Sequence, residues 1–254
     1  MLVVLSPHLD DAVLSASASL LDAPGTRVVT CFAGAPPRGT PPTGWEKRCG
    51  ARDAHEHVLA RREEDRRALT ALGAEPRWAD LLEDGHRTGI LTPDELAEHL
   101  REHIPEGSTV LAPLAVGGHP DHLLVHRAAA RLDAQGHAGQ LLLYADLPYA
   151  STGGWPDWVL PRHRRLVRRV ARLAGRQGRP ADALADACER SDVRFGRLDA
   201  TVHVLRGRRW EAKREAVQAY ASQVRALHLD ERSVLGPLRR EVQLALPAGA
   251  GARP

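Results

Sequence analysis

Residues 2–14 read Leu2-Val3-Val4-Leu5-Ser6-Pro7-His8-Leu9-Asp10-Asp11-Ala12-Val13-Leu14. The first five form a short, continuous apolar run, which suits a strand buried on both faces. Pro7 through Asp10 interrupt it as a loop. From Asp11 the pattern turns helical, with Ala12, Leu14, Ala16, Ala18, Leu20 and Leu21 predicting a helix over 11–21. Asp10 and Asp11 stand where carboxylates satisfy the free N–H groups of a first turn. Strand, short polar loop and helix together make the repeating unit of an α/β sheet.

The unit recurs downstream. A strand is expected over 27–32, then a long charged helix over 54–72 closed by Gly73. A strand over 78–82 follows, and a helix over 93–103 capped by Thr92. Residues 109–112 and 141–145 read as strands on either side of a helix over 121–132. Strands alternating with helices imply a mostly parallel sheet covered on both faces, a Rossmann-like three-layer α/β fold. Its ligands would sit at the carboxyl ends of the strands. Beyond Pro148 the rhythm weakens. A strongly basic helix over 162–173, a loop over 175–180, a strand over 202–205 and a helix over 210–227 are expected there. The Ala/Gly/Pro-rich tail 247–254 is expected to fray. The expected organisation is one domain over 1–254, with its core at about 1–150 and a less regular extension at about 151–246. Residues 35–50 are rich in Pro and Gly without periodicity, and so long a connection suggests a mobile lid.

The totals fit this reading. With 254 residues, 43% hydrophobic and 26% charged, the chain can bury a real core. Aromatics are only 4%, which argues against stacking platforms for nucleic acid. The net charge of +3 requires no polyanionic partner. Cys31, Cys49 and Cys188 are widely spaced with no CxxC pair, which fits a reducing compartment. No apolar stretch of about 18 residues suggests a membrane helix, and the expected location is the cytoplasm.

Two clusters carry the chemistry. His8-Leu9-Asp10-Asp11 follows the first strand, and Gly117-Gly118-His119-Pro120-Asp121-His122 follows the strand at 109–112. In a parallel sheet the loops between strand and helix emerge on one edge, so the clusters can face each other across a crevice. Imidazole and carboxylate suit zinc, and a catalytic zinc takes three protein ligands and keeps one position open. Plainer readings stand beside this one: Asp10-Asp11 as a helix cap, and the histidines as loop residues bonded to backbone. Residue types alone do not separate Asp10 from Asp11.

Pro7-His8-Leu9-Asp10-Asp11 resembles the PHxDD(E) signature of the PIG-L (LmbE-like) deacetylases, and His119-Pro120-Asp121-His122 resembles their HPDH signature. Weaker likenesses lie in Tyr144-Ala145-Asp146-Leu147-Pro148-Tyr149, in the helix over 62–73, and in the stretch from Lys213 to Tyr220, Ser222 and Gln223. The resemblance implies that His8, Asp11 and His122 bind Zn2+, with Fe2+ or another divalent transition metal as substitutes. It implies that Asp10 is the general base, that His119 stabilises the oxyanion or protonates the leaving amine, and that Asp121 orients or tunes His119. It implies removal of an N-acetyl group from an N-acetylglucosamine-type amino sugar, in natural-product or thiol-cofactor biosynthesis. The partner is then a small-molecule substrate, with no nucleic acid and no membrane; assembly into a homo-oligomer is left open.

The chain departs from the pattern in places. Ala12 stands where the family often has Glu, and Leu9 where many members have proline. Gly117 stands where some members carry a tyrosine that donates to the oxyanion; either another group, such as Tyr144, Tyr149 or an arginine, does that work, or activity is lower. Asp146, Tyr149 and Arg62 are candidate substrate-binding residues, Asp146 through a sugar hydroxyl. His55-x-His57 and His122-x3-His126 also have ligand-like spacing. The rival readings are a zinc amidase acting on another acyl-amide, such as a thiol conjugate, and a non-catalytic anion- or sugar-binding protein.

Overall fold

The first apolar run does form a strand, and it lies near the middle of a seven-stranded sheet. The structure, a computed structural model, describes residues 1–151, 155–160, 183–190, 199–229 and 235–245. Strands β1 (Leu2–Ser6), β2 (Arg27–Thr30), β3 (Glu75–Trp78), β4 (Ser108–Pro113) and β5 (Ala138–Tyr144) pair in parallel. Strands β6 (Asp199–Val204) and β7 (Arg240–Ala245) join antiparallel at one edge, giving the order β3-β2-β1-β4-β5-β7-β6. Val3, Val4, Leu5, Val28, Val29, Val110 and Leu111 are fully buried, as strands covered on both faces require.

Among the described residues the α-helices are α1 (Asp11–Asp22), α2 (Gly44–Arg48), α3 (Ala54–Ala71), α4 (Pro93–Arg101), α5 (Pro120–Ala134), α6 (Ala183–Arg190), α7 (Gly207–Gln218) and α8 (Ala221–Val224). They fall into two groups: α4 packs on α5, while α1 and α3 pack on α7. The chain winds outward from β1 in one direction to β2 and β3, and in the other to β4 and β5. The order therefore reverses between β1 and β4, and a crevice opens beyond their carboxyl ends. Both histidine–aspartate clusters stand at that crevice. Among the described residues no helix is long and apolar enough to cross a membrane.

Several expectations are corrected. The strand expected over 78–82 lies instead at Glu75–Trp78, because Pro76 is tolerated on the edge strand of a sheet. The apolar residues after it run past the strand end, with only Phe32 and Asp80 forming an isolated bridge. Residues 35–50 are not a structureless connection: they contain α2, which Thr43 and Glu46 start with a reciprocal capping box. The helix expected over 210–227 breaks at Tyr220, whose buried hydroxyl donates to Asp65 Oδ1 at 2.7 Å. β7 has no counterpart in the expectations, since Arg239, Arg240 and Glu241 hide its apolar alternation. The expected basic helix at 162–173, the loop at 175–180 and the tail at 247–254 lie outside the described residues.

The late strands are tied to α1 by a buried ion pair. Ala16 has non-helical backbone angles, so α1 is kinked there. A regular turn would join the Ala18 N–H to the Leu14 carbonyl. Instead Ala18 N donates to Glu241 Oε2 at 2.8 Å, and the Leu14 carbonyl accepts from Lys213 Nζ at 2.6 Å. Lys213 and Glu241 meet at 2.6 Å, both fully buried. The pair thus supplies both halves of the missing helical bond. Removing one member leaves the other charge buried alone, so Lys213→Met is expected to lower stability by about 3–5 kcal/mol. Denaturant unfolding measures it; a loss under about 1 kcal/mol, the range of an exposed pair, would show that the pair carries no such role.

Candidate active site

Ser6, the last residue of β1, shapes the first loop. Its hydroxyl donates to the His8 carbonyl at 2.7 Å and accepts from Ala12 N at 3.0 Å. Asp10 occupies the cap position of α1, yet its side chain makes no capping bond. Its buried carboxylate is free for other work. Asp11 Oδ2 accepts from His8 N at 2.9 Å and lies 3.3 Å from His8 Nδ1 and 3.3 Å from His122 Nε2. Residues more than a hundred positions apart thereby meet at the mouth of the crevice.

Each histidine of this trio spends its other nitrogen on a buried carboxylate. His122 Nδ1 contacts Asp146 Oδ1 at 2.7 Å, and His8 Nε2 contacts Asp121 Oδ2 at 3.1 Å. That fixes both rings and turns the remaining nitrogens towards Asp11. Ligand atoms of His8, Asp11 and His122 lie within 4.8 Å of one another, so the trio could hold a metal ion. The carboxylate behind each imidazole is the usual support of a metal-binding histidine, so the donor set fits. His8, His119 and Asp121 satisfy the same distance. There, however, Arg87 already pairs with Asp121 at 2.9 Å, whereas no arginine or lysine among the described residues pairs with Asp11. The first trio is the better cation site on charge.

The charges are strongly coupled. Burial works against protonation of His8, but hydrogen bonds to Asp11 and Asp121 outweigh it and raise the imidazole to about 9. His122 likewise is raised, against burial, by Asp11 and Asp146. Burial and the neighbouring Asp11 charge push Asp10 up to about 7, partly opposed by Arg61. Asp121 falls to about 2: burial opposes this, and the bonds from His8, Asp84 N and Arg87 prevail. His119 is lowered by burial and by the two neighbouring imidazoles. Its Nδ1 accepts from Asp121 N at 3.2 Å, so the neutral ring carries its proton on Nε2.

His8, Asp10, Asp11, His119, Asp121 and His122 line a cavity of about 540 Å³ with Trp45, Arg61, Glu83, Tyr149 and Gln223, within the usual range for small-molecule sites. Three expectations change here. Asp121 does not orient the His119 ring with its carboxylate, which goes to His8, Asp84 N and Arg87. Asp146 cannot reach a sugar hydroxyl: it is fully buried, with Oδ1 on His122 and Oδ2 accepting from Val116 N at 2.8 Å. Arg62 lies outside the cavity, bonded to the Ala33 carbonyl and Asp80 and stacked on Trp78. One residue along a helix is a rotation of about 100°, and Arg61 is the one that turns inward. It is buried, 2.7 Å from Glu83 Oε1 and 3.7 Å from Asp10 Oδ1. Glu83 and Trp45 were not found from sequence, since no motif marks them; Arg61 stands at the start of the family-like helix stretch but was not singled out, and Gln223 lay within the late similarity to the PIG-L deacetylases. His55 bonds the Pro36 carbonyl and His126 the Pro113 carbonyl, and neither joins a metal grouping.

A family model described as PIG-L, GlcNAc-PI de-N-acetylase, matches residues 3–132. Among curated proteins, 2′-N-acetylparomamine deacetylase of Streptomyces fradiae is 38% identical over 172 residues, 58% of this chain. The chain covers 57% of that relative's length. Among solved structures, the A40926 pseudoaglycone deacetylase Dbv21 aligns with a TM-score of 0.64 at 25% identity over 96% of each chain. A triple mutant of a deacetylase of the teicoplanin biosynthetic pathway aligns with a TM-score of 0.66 at 25% identity, over 98% of this chain and 99% of that one.

Two predictions follow from the charge arrangement. A metal must displace the protons of His8 and His122, so binding at pH 7 is expected to release about two protons per ion. Affinity then rises with pH from neutrality up to at least about 9, where His8 deprotonates. Calorimetry in buffers of different ionisation enthalpy measures this, and a buffer-independent heat at pH 7 would contradict it. Asp146→Ala frees the His122 ring and is expected to weaken metal affinity about 10–100-fold in a competition titration with a chelating dye.

Proposed function

Because the chain belongs to the PIG-L family of de-N-acetylases, we propose that it is a zinc-dependent hydrolase removing an N-acetyl group from an amino-sugar glycoside, with release of acetate and a free amine. The observation that carries this reading is Asp10, a buried carboxylate raised to about 7, uncommitted as a cap and beside a His–Asp–His trio suited to a metal. A binding protein has no need of a base there. The amino-sugar substrate is supported by the name of the S. fradiae relative and by a cavity roomier than the acetyl group alone needs. Cys31, Cys49 and Cys188 form no disulfide among the described residues, which fits a cytoplasmic location.

His8, Asp11 and His122 would hold the ion. When bound, such an ion acidifies water and polarises a carbonyl oxygen. The side chains supply the rest. Asp10 takes the proton of the attacking water, its pKa being close to the working pH as general-base catalysis favours. The buried Arg61 holds that carboxylate on one side and is itself neutralised by Glu83. His119 offers its Nε2 proton to the carbonyl oxygen as it gains charge. Asp121 contributes by fixing His8. As the C–N bond breaks, the proton held by Asp10 passes to the leaving nitrogen, so the cycle consumes one water and leaves Asp10 ionised.

Asp10→Asn is expected to reduce acetate release from 2′-N-acetylparomamine by about 10²–10⁴-fold while one metal per chain is retained. Elemental analysis beside an acetate assay reads both. Unchanged turnover would refute Asp10 as the base, and wild-type protein that takes up no transition metal would refute the metal-dependent reading.

A further inference from the structure

The chain has three tyrosines, Tyr144, Tyr149 and Tyr220. Tyr144 and Tyr220 are buried and their hydroxyls are committed, to the Leu5 carbonyl at 2.9 Å and to Asp65 Oδ1 at 2.7 Å. Tyr149 is different. It is 39% exposed, lines the cavity, and its hydroxyl makes no hydrogen bond among the described residues. Its ring stands edge-on to His122, with centroids 6.0 Å apart and planes at 90°.

The ring is placed there by a glycine in the HPDH loop. Gly117 has φ +91°, a region that disfavours any side chain. A Cβ on it would also lie 3.0 Å from Tyr149 Cδ1, 3.1 Å from Cγ and 3.3 Å from Cβ. Tyr149 therefore fills the space that a side chain at 117 would take. The two turns are fastened to the same residue. Asp146 Oδ2 accepts from Val116 N, next to Gly117, and the Asp146 carbonyl accepts from Ala150 N at 2.8 Å, next to Tyr149. The third attachment of Asp146 is His122 itself. Burial and the charges of Asp11 and Asp10 keep the phenol protonated far above neutral pH, so it is a donor. The two nearby guanidiniums are engaged elsewhere through their terminal nitrogens, Arg61 with Glu83, Asp10 and the Leu9 carbonyl, and Arg87 with Asp121.

We propose that Tyr149 is a catalytic residue, donating its phenolic hydrogen to the N-acetyl carbonyl oxygen as that oxygen becomes negative, and that Gly117 is the positioning residue that admits its ring. The inference rests on the deacetylase reading. It adds a second neutral donor to that of His119 and assigns the exposed phenol a task beyond packing. The hydrogen bond strengthens as charge develops, so its loss falls on kcat more than on KM.

The test uses the metal-loaded full chain with 2′-N-acetylparomamine, measuring kcat, KM, metal content and thermal midpoint. Tyr149→Phe is expected to lower kcat about 10²–10³-fold, with KM, metal content and midpoint little changed. Gly117→Ala displaces the ring and is expected to lower kcat in the wild-type background, yet to add nothing to Tyr149→Phe, which has no hydroxyl left to misplace. Wild-type kcat in Tyr149→Phe, or a loss confined to KM, would overturn the assignment and leave the deacetylase reading intact. Absence of acetate release by the metal-loaded wild type would overturn the reading and this inference together.

Discussion

Asp146 is the residue on which the site depends. It is wholly buried, and a buried carboxylate is tolerated only when its oxygens are satisfied. One oxygen fixes the His122 ring, the other holds Val116 N in the loop after β4, and its carbonyl starts the turn that carries Tyr149. The loop after β4, the first turn of α5 and the turn carrying Tyr149 are thus referred to one group just past the end of β5. The imidazole of His122 has no rotational freedom left, because the contact that fixes its tautomer also fixes its direction. Asp121 does the same for His8 from the opposite side, and Arg87 keeps that carboxylate charged. The centre is therefore two histidine–carboxylate pairs converging on Asp11.

The rest of the fold holds these pairs in register. Placing β1 beside β4 brings the two loops to one edge, and the outward winding on both sides leaves the crevice open. The kink of α1 at Ala16 would leave a donor and an acceptor buried and unpaired. Lys213 and Glu241 satisfy both, so the late strands and α7 are joined to the helix that begins with Asp11. Asp65, taking bonds from Trp78 and Tyr220, anchors α3 to the turn before α8 in the same way. Each join is polar and buried, and such networks specify one geometry more sharply than apolar packing does.

What could be read in the sequence follows from how local its cause is. β1, α3, α4 and the caps at Thr92 and Gly73 were legible, because periodicity and capping are set within a few residues. The capping box Thr43-x-x-Glu46 was equally local, and its four-residue signature would have disclosed α2 inside the Pro/Gly-rich segment. β7 was hidden for the opposite reason: Glu241 belongs in a buried strand only because Lys213, 28 positions away, neutralises it. The two histidine–aspartate clusters were legible as chemistry, while the division of labour within them was not. Whether Asp121 supports His8 or His119, and whether Asp146 faces a ligand or a histidine, depends on contacts across 113 and 24 positions. Arg61 and Arg62 differ by one step along a helix, and no composition or charge pattern tells which turns inward.

The cavity also shows why chemistry and selectivity come from different parts of the chain. His8, Asp10, Asp11, His119 and His122 stand on the rigid ends of central strands and the first turns of α1 and α5, where small displacements cost most. The opposite wall is Trp45 of α2, Glu83 after β3 and Gln223 of α8, all on connections outside the central sheet. Trp45 is nonetheless held, since its indole N–H donates to Gln223 Oε1 at 3.3 Å and Arg48 lies over its ring. Glu46 beside it bonds Thr43 N and His86, which fastens α2 to the loop after Glu83. A segment so attached forms a fixed wall of the cavity. The part of a bound ligand that extends beyond the His–Asp–His trio would meet α2 and α8 rather than the strands. Exchanging Trp45 or Gln223 would reshape that wall without loosening Asp11 or the imidazoles around it, because His122, His8 and Asp11 are held by Asp146, Asp121 and the His8 backbone.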